Sequence, residues 1–382
     1  MKDNEKINYQ IIDTVSGLER ITKFLERNKT IAVDLEADSM YHFKEKVCLV
    51  QVSTKKTNIV IDPLQAKDLS PLQPIFSSHD IKKVIHGADY DVRSLYRDFN
   101  IEIHNLFDTH LASMFLGMKE TGLDAILQQR FNVALNKKYQ KADWSKRPLP
   151  EEMIEYAAMD ATYLVSLSEI LEKELEKKGR LYWVYEECDI LCKMRHASSG
   201  GNPLYLKFKG AGRLKPRSLA VLEALLQFRK KVAEKKDKPL YKIVGNDSLM
   251  KISTARPFTI RRLKCTKALS GRQISMYGYK LVEIISKVLE TPGDALPVYL
   301  REKGPVLEPE VPKRIKALKF WRDSKAKELE IVPAIVGNNA LISAIAIKNP
   351  LHTNDLAAIK LMKNWQKKEF GKEIVAVLRS VK

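Results

Sequence analysis

Cysteine is scarce in this chain: 382 residues contain four, Cys48, Cys188, Cys192 and Cys265, with no pairing pattern. That excludes a disulfide framework. Cys188 and Cys192 stand four apart on a predicted helix but lack the second ligand pair of a structural zinc site. They read as reduced thiols of a cytoplasmic protein. Long apolar runs are also missing, none approaching the roughly 20 residues of a membrane-spanning helix. The N-terminus MKDNEKINYQ lacks the apolar core of a signal peptide. No GxxxxGKS or GxxxxGKT phosphate loop occurs, which argues against a helicase or ATPase motor. Acidic residues are short in one half only. Residues 196–382 hold 38 Lys+Arg against 16 Asp+Glu, whereas residues 1–195 hold 28 against 31, so the net charge of +19 comes from the second half. A basic half joined to a faintly acidic one points to a partner made of phosphates.

Hydrophobic residues make up 45% of the chain, enough for two or three packed domains. The first part reads as mixed α/β. Ser16-Gly17-Leu18-Glu19 has the form of a capping box opening a helix with an apolar face of Leu18, Ile21, Phe24 and Leu25. Three strand-like runs follow, Thr30–Glu36, Val47–Ser53 and Asn58–Asp62, with short connections that predict an antiparallel meander. A helix near Asp68–Ser77, a strand Lys83–His86 and a helix Tyr90–Phe99 predict parallel crossovers next. Helix dominates from Thr109, including one long amphipathic helix from Pro150 to Lys178.

The stretches His196–Lys215 and Thr291–Pro312, the latter with five prolines, read as linkers. The two segments they set off share an ordered signature. Phe228-Arg229, Pro239, Ile243-Val244-Gly245-Asn246 and Leu249 recur as Trp321-Arg322, Pro333, Ile335-Val336-Gly337-Asn338 and Leu341, about 92 residues later. A duplicated helical module is the simplest reading.

Chemistry concentrates in the first 160 residues. Asp34 and Glu36 are two apart in a strand, so both leave one face. Tyr156 and Asp160 are four apart on a helix and stack on one side of it. Asp91 opens the helix after the strand ending at His86, with Asp89 as an equal rival on sequence alone. Asp-x-Glu also occurs at Asp3–Glu5, and Tyr-x-x-x-Asp at Tyr9–Asp13 and Tyr185–Asp189, so no single motif is decisive. Converging carboxylates repel one another unless cations lie between them, which predicts a divalent-metal site of the kind used in phosphoryl chemistry.

Four stretches together, VDLEAD (33–38), HGADYDVRSL (86–95), DWSKRPL (143–149) and EYAAMDATYL (155–164), resemble the DEDD superfamily of 3′→5′ exonucleases, in its tyrosine-bearing subgroup. The duplicated module is similar to the HRDC domain, and an exonuclease followed by two such modules resembles the ribonuclease D family. The resemblance implies a ribonuclease H-like mixed sheet flanked by helices over residues 1–200, then all-α HRDC bundles at 210–292 and 312–382. It selects Asp91 over Asp89 by offset from His86. It implies catalytic residues Asp34, Glu36, Asp91, Tyr156 and Asp160, the four acids holding two Mg2+ or Mn2+ ions. Asp34 would bridge both ions, Glu36 and Asp160 would serve the ion that activates water, and Asp91 the ion near the leaving oxygen. Tyr156 would orient the attacking water and help remove its proton.

His86, Trp144 and Arg147 match recurrent positions as structural or substrate-contacting residues, and Asp108 reads as a helix cap. The implied activity is removal of nucleoside 5′-monophosphates from RNA 3′ ends, tRNA precursors among them, by a cytoplasmic monomer without an obligate protein partner. A 3′→5′ DNA exonuclease and a non-catalytic RNA-binding adaptor are the alternatives. Charge makes the first module the stronger backbone clamp, since residues 205–292 hold 21 Lys+Arg against 6 Asp+Glu and 293–382 hold 17 against 10. Trp321, Trp365 and Tyr241 are potential base-stacking residues but fit helical cores better.

Overall fold

β2 (Thr30–Ala37) occupies the middle of a six-stranded sheet of order β1-β4-β3-β2-β5-β6. The computed structural model describes residues 8–195, 201–300 and 308–381. Asp3–Glu5, the start of the first predicted linker (196–200) and the middle of the second (301–307) lie outside the described residues. β3 (Val47–Ser53) and β4 (Asn58–Ile61) form the expected meander with β2, each neighbour antiparallel. β5 (Lys82–Ile85) and β6 (Leu106–Asp108) add in parallel beyond β2. β1 (Tyr9–Ile12) pairs in parallel with β4 at the far edge. β3 is buried along its whole length, as expected for a strand covered on both faces.

Several local expectations are corrected. The helix Val15–Leu25 is capped by Thr14, whose hydroxyl accepts from the Gly17 amide, so Ser16 is not the cap. The predicted helix near Asp68–Ser77 is a 3-10 turn, Ser70–Leu72, running into the short helix Gln73–Phe76. The expected long helix from Pro150 is two, Glu151–Thr162 and Leu164–Lys177, parted at Tyr163. The first lies over β2, β3 and β4, and the second over β2 and β5.

The described residues divide into two compact units. One draws on 8–37, 47–195 and 308–381, the other on 38–46 and 201–300. In the first, the second helical module packs on the helix Leu181–Cys192. Trp365 is 1% exposed and stacks on Trp183 with ring centroids 4.6 Å apart. The carboxylate of Glu186 accepts from the amides of Asn364 (2.6 Å) and Trp365 (2.8 Å), so an acid sits at the N-terminus of the helix Asn364–Ser380, where the helix dipole favours it. Lys363 pairs with Glu187, and Arg180 donates to the carbonyls of Phe115 (2.9 Å) and Leu329 (2.8 Å). Gly117, at φ +82°, stands so close to the Glu330 carbonyl that an added Cβ would lie 2.0 Å from its oxygen, so only glycine fits there.

In the second unit the loop 38–46 lies on the first module. Asp237 accepts from the Phe43 amide (3.0 Å) and pairs with His42 (2.6 Å), while the Tyr241 hydroxyl donates to the Met40 carbonyl (3.1 Å). Tyr241 is thus half-exposed and tied to this loop.

The repeated signature has a structural cause. Arg229 reaches from its helix to the Val244 carbonyl (3.0 Å) and the Asn246 side chain (2.7 Å), and Arg322 reaches to the Gly337 carbonyl (3.4 Å) and the Asn339 side chain (3.0 Å). Gln273 and Gln366 repeat a second bond, each donating to carbonyls of the same Ile-Val turn. An arginine and a glutamine fasten that turn in each copy.

Candidate metal centre and active site

β2 delivers Asp34 and Glu36 to the face that the helix Glu151–Thr162 covers, and that helix delivers Asp160 to the same place. One ligand oxygen from each of Asp34, Glu36 and Asp160 lies within 4.8 Å of the others. Asp91 joins them from the first turn of the helix Asp89–Phe99, at 6% exposure, and its charge is felt by Glu36. Asp89 instead points outward and pairs with Arg93, one turn on. The choice left open by sequence alone is decided by burial: Asp91 stands beside Asp34, and Asp89 does not. Tyr156 lies one turn before Asp160, and its hydroxyl hydrogen-bonds to the Asp160 carboxylate.

The electrostatics follow from bringing four acids together out of water. Burial pushes the Asp34 carboxyl up to about 6. Burial, then repulsion by Asp34, Asp160 and Asp91, pushes Glu36 up to about 10. Burial and Asp34 push Asp160 up to about 8, and Asp91 rises well above the usual carboxylate range for the same two reasons. Among the described residues, no lysine or arginine offsets the charge of any of the four. Tyr156 is pushed upward too, by burial and by the acids, so its hydroxyl keeps its proton in the ion-free site. The donor set is all oxygen and anionic, and it is compact and short of positive charge. It fits hard divalent cations, and does not fit zinc of the cysteine–histidine kind.

Behind the acids stands a support whose role sequence reading leaves open. Trp144 is 1% exposed and lies against Tyr156, centroids 6.1 Å apart, while Tyr139 meets the same ring edge-on at 5.9 Å. Arg147 clasps Asp62 through two bonds of 2.6 and 2.8 Å and donates to the Cys48 carbonyl on β3 (2.9 Å). Trp144 and Arg147 are therefore structural. They fasten the segment before the Tyr156 helix to the sheet, so the phenol and Asp160 meet β2 at a fixed height. Asp108 does more than cap its helix. Its carboxylate accepts from Gly87 and Ala88 (both 2.9 Å) as well as His110 (2.8 Å), pinning the turn that leads to Asp91. His86 is held down to about 4 by burial and is neutral, with Nδ1 3.0 Å from the Thr109 hydroxyl. Tyr185 and Asp189 lie on the helix Leu181–Cys192, where Tyr185 donates to Glu172 (2.6 Å), apart from the cluster. No local signal reveals the Arg147–Asp62 clasp, because its halves are 85 residues apart.

Comparison with known proteins agrees with this geometry. A family model described as 3′-5′ exonuclease matches residues 9–176, and the HRDC domain model matches 218–285 and 312–378. The Arabidopsis thaliana protein RRP6-like 1 is 32% identical over 68% of this chain and 43% of its own length. Ribonuclease D of Bartonella henselae is 28% identical over 97% of this chain and 90% of its own. The crystal structure of the catalytic core of RRP6 from Trypanosoma brucei is 30% identical, covers 76% of this chain and 81% of that one, and superposes with a TM-score of 0.65. The chain spans about two-fifths of the length of the two plant relatives it matches. With the sheet, the acids and both helical modules in place, the chain belongs to the 3′-5′ exonuclease family, of the ribonuclease D-like kind that carries HRDC domains.

Proposed function

We propose that this protein is a metal-dependent 3′-5′ exoribonuclease that removes nucleoside 5′-monophosphates one at a time from RNA with a free 3′ end, such as a tRNA precursor. The observation that carries this is the trio of oxygens from Asp34, Glu36 and Asp160 within 4.8 Å, with no basic side chain among the described residues to offset them. Asp34, Glu36, Asp91 and Asp160 are the residues that would hold two Mg2+ or Mn2+ ions. When bound, such ions would lower the pKa of a water and neutralise charge on the phosphate.

The chain's own residues divide the remaining work. Glu36 and Asp160, protonated in the ion-free site near neutrality, give up those protons to become ligands. Tyr156 keeps its hydroxyl proton, hydrogen-bonded to the Asp160 carboxylate, and its hydroxyl oxygen orients the attacking water by accepting a hydrogen bond from it, which helps draw a proton from that water. The water oxygen bonds to the phosphorus of the last phosphodiester as the P–O3′ bond to the preceding nucleotide breaks. The proton lost by the water passes to solvent, the departing 3′-oxygen takes one up as a free 3′-hydroxyl, and the terminal residue leaves as a 5′-monophosphate. The name ribonuclease D, carried by several relatives, supports RNA over DNA.

Three folding segments, 1–200, 210–292 and 312–382, complete the reading. The first helical module is the main phosphate clamp, because residues 205–292 carry 21 Lys+Arg against 6 Asp+Glu. The protein acts in the cytoplasm as a monomer. Among the described residues, no helix is long and apolar enough to cross a membrane.

The test is digestion of an RNA labelled at its 5′ end, with Mn2+ or EDTA, beside an all-deoxy counterpart. Stepwise shortening of RNA alone, abolished by EDTA and lowered about 10³-fold or more in Asp34→Ala, is expected. Equal loss of the DNA would overturn the RNA assignment. Unshortened ends in Mn2+ would overturn the enzyme.

A further inference from the structure

β3 runs Val-Cys-Leu-Val-Gln-Val-Ser, buried throughout, with an amide in its second half. Gln51 is 0% exposed, and neither its Nε2 nor its Oε1 has a hydrogen-bond partner among the described residues. The register sets it directly opposite Asp34 on β2 and Val60 on β4. Residues opposed in antiparallel strands leave the same face, with Cβ atoms about 5 Å apart. That face is the one the helix Glu151–Thr162 covers, presenting buried Ala157, Ala158 and Ala161. An amide enclosed without partners destabilises a fold, and leucine or methionine would fill a similar volume without that penalty.

We propose that Gln51 is a positioning residue for Asp34. Its side-chain N–H donates to one oxygen of the Asp34 carboxylate in the ion-loaded site, which leaves the other oxygen facing Glu36 and Asp160. The inference rests on the metal reading given above. An amide suits the task where lysine or arginine would not. It holds a carboxylate by hydrogen bonding yet adds no charge to compete with cations for the acids. The cost of the buried amide falls on the ion-free protein, where the amide has no partner among the described residues, and is offset when the bond to Asp34 forms in the ion-loaded site.

Full-length Gln51→Leu and Gln51→Met test this by calorimetric titration with Mn2+ and by thermal unfolding in EDTA. Both variants are expected to keep or raise the Tm in EDTA while the Mn2+ dissociation constant rises about 10- to 100-fold, the usual effect of removing an outer partner of a metal ligand. An Mn2+ affinity within twofold of the parent's, in whichever variant folds, would overturn the proposal, because a merely space-filling Gln51 predicts that result. A lowered Tm in EDTA for both variants would also overturn it, because the amide would then be satisfied without ions. Failure of the parent chain to bind Mn2+ would refute the metal reading itself, and so is a separate outcome.

Discussion

Without ions, the protein should lose stability steeply as pH rises from 6.5 to 7.5. Glu36 and Asp160 titrate near 10 and 8 when folded, against about 4 when unfolded. A raised folded value gives stability that is present in full below the unfolded value and is lost as pH climbs towards the folded one. Across this window the unfolded chain has shed both protons and the folded protein holds both. Each such proton costs about 1.4 kcal/mol per pH unit, so the pair costs about 3 kcal/mol between pH 6.5 and 7.5. Asp91, also raised, acts in the same direction.

The window is chosen to exclude His86. Its folded value, about 4, lies below its unfolded 6.5, so it adds stability as pH rises and has largely finished doing so by 6.5. At about 2–4 °C per kcal/mol for a unit of this size, the Tm in EDTA should fall by about 6–12 °C. In Mn2+ the carboxylates are ionised ligands and the fall should vanish, so the stabilisation by Mn2+ should grow with pH. Scanning calorimetry or circular dichroism at the two pH values, with EDTA or Mn2+, measures it. The double variant Glu36→Gln/Asp160→Asn should flatten the EDTA curve. An equal slope in EDTA and Mn2+, or an undiminished slope in the double variant, would refute the electrostatic account of the site.

Three further outcomes are expected. Arg147→Leu strands the Asp62 carboxylate at 8% exposure and should cost about 3 kcal/mol in denaturant unfolding, with a loss of nuclease rate because the Tyr156 helix is no longer fastened. Trp365→Ala empties the stack on Trp183 and should cost about 3–5 kcal/mol, and limited proteolysis should then release the second module. Neutralising lysines of the first module that pair with RNA phosphates should lower the salt slope of single-stranded RNA binding by about 0.7 for each phosphate no longer neutralised, measured by fluorescence anisotropy at several salt concentrations.

The clustering of the acids and Tyr156 is largely legible in the sequence because two periodicities carry it. A spacing of two in a strand and of four in a helix place side chains on one face before any tertiary structure is known, so Asp34–Glu36 and Tyr156–Asp160 can be paired in advance. Asp91 cannot be told from Asp89 by periodicity, since both open the same helix, and the outward turn of Asp89 towards Arg93 is a tertiary outcome. The meander over residues 30–61 is readable from local alternation and short connections. β1 escapes such a reading because it has four residues, two of them exposed, and its partner β4 lies 49 residues away. β6 has three residues and leaves no pattern. The break at Tyr163 carries no proline or glycine; the apolar face runs on while the chain bends so that successive helices can cover different strands. Gln51 does leave a signal, a lone amide in an apolar strand, but its meaning depends on the register with Asp34.

The two copies of the helical module show how one fold can serve two purposes through a few surface changes. Both keep the arginine and glutamine that fasten the Ile-Val turn, so duplication preserved what holds each bundle together. The second copy has Trp365 and Lys363 where the last helix begins, and these meet Trp183, Glu186 and Glu187. Its acids are more numerous, 10 in residues 293–382, and a surface spent on protein contact needs less positive charge. The first copy has 6 acids in residues 205–292 and gives Asp237 to the loop 38–46. Charge and anchoring are thus divided between the copies: the first holds most of the basic excess, and the second holds the packing on the helix Leu181–Cys192.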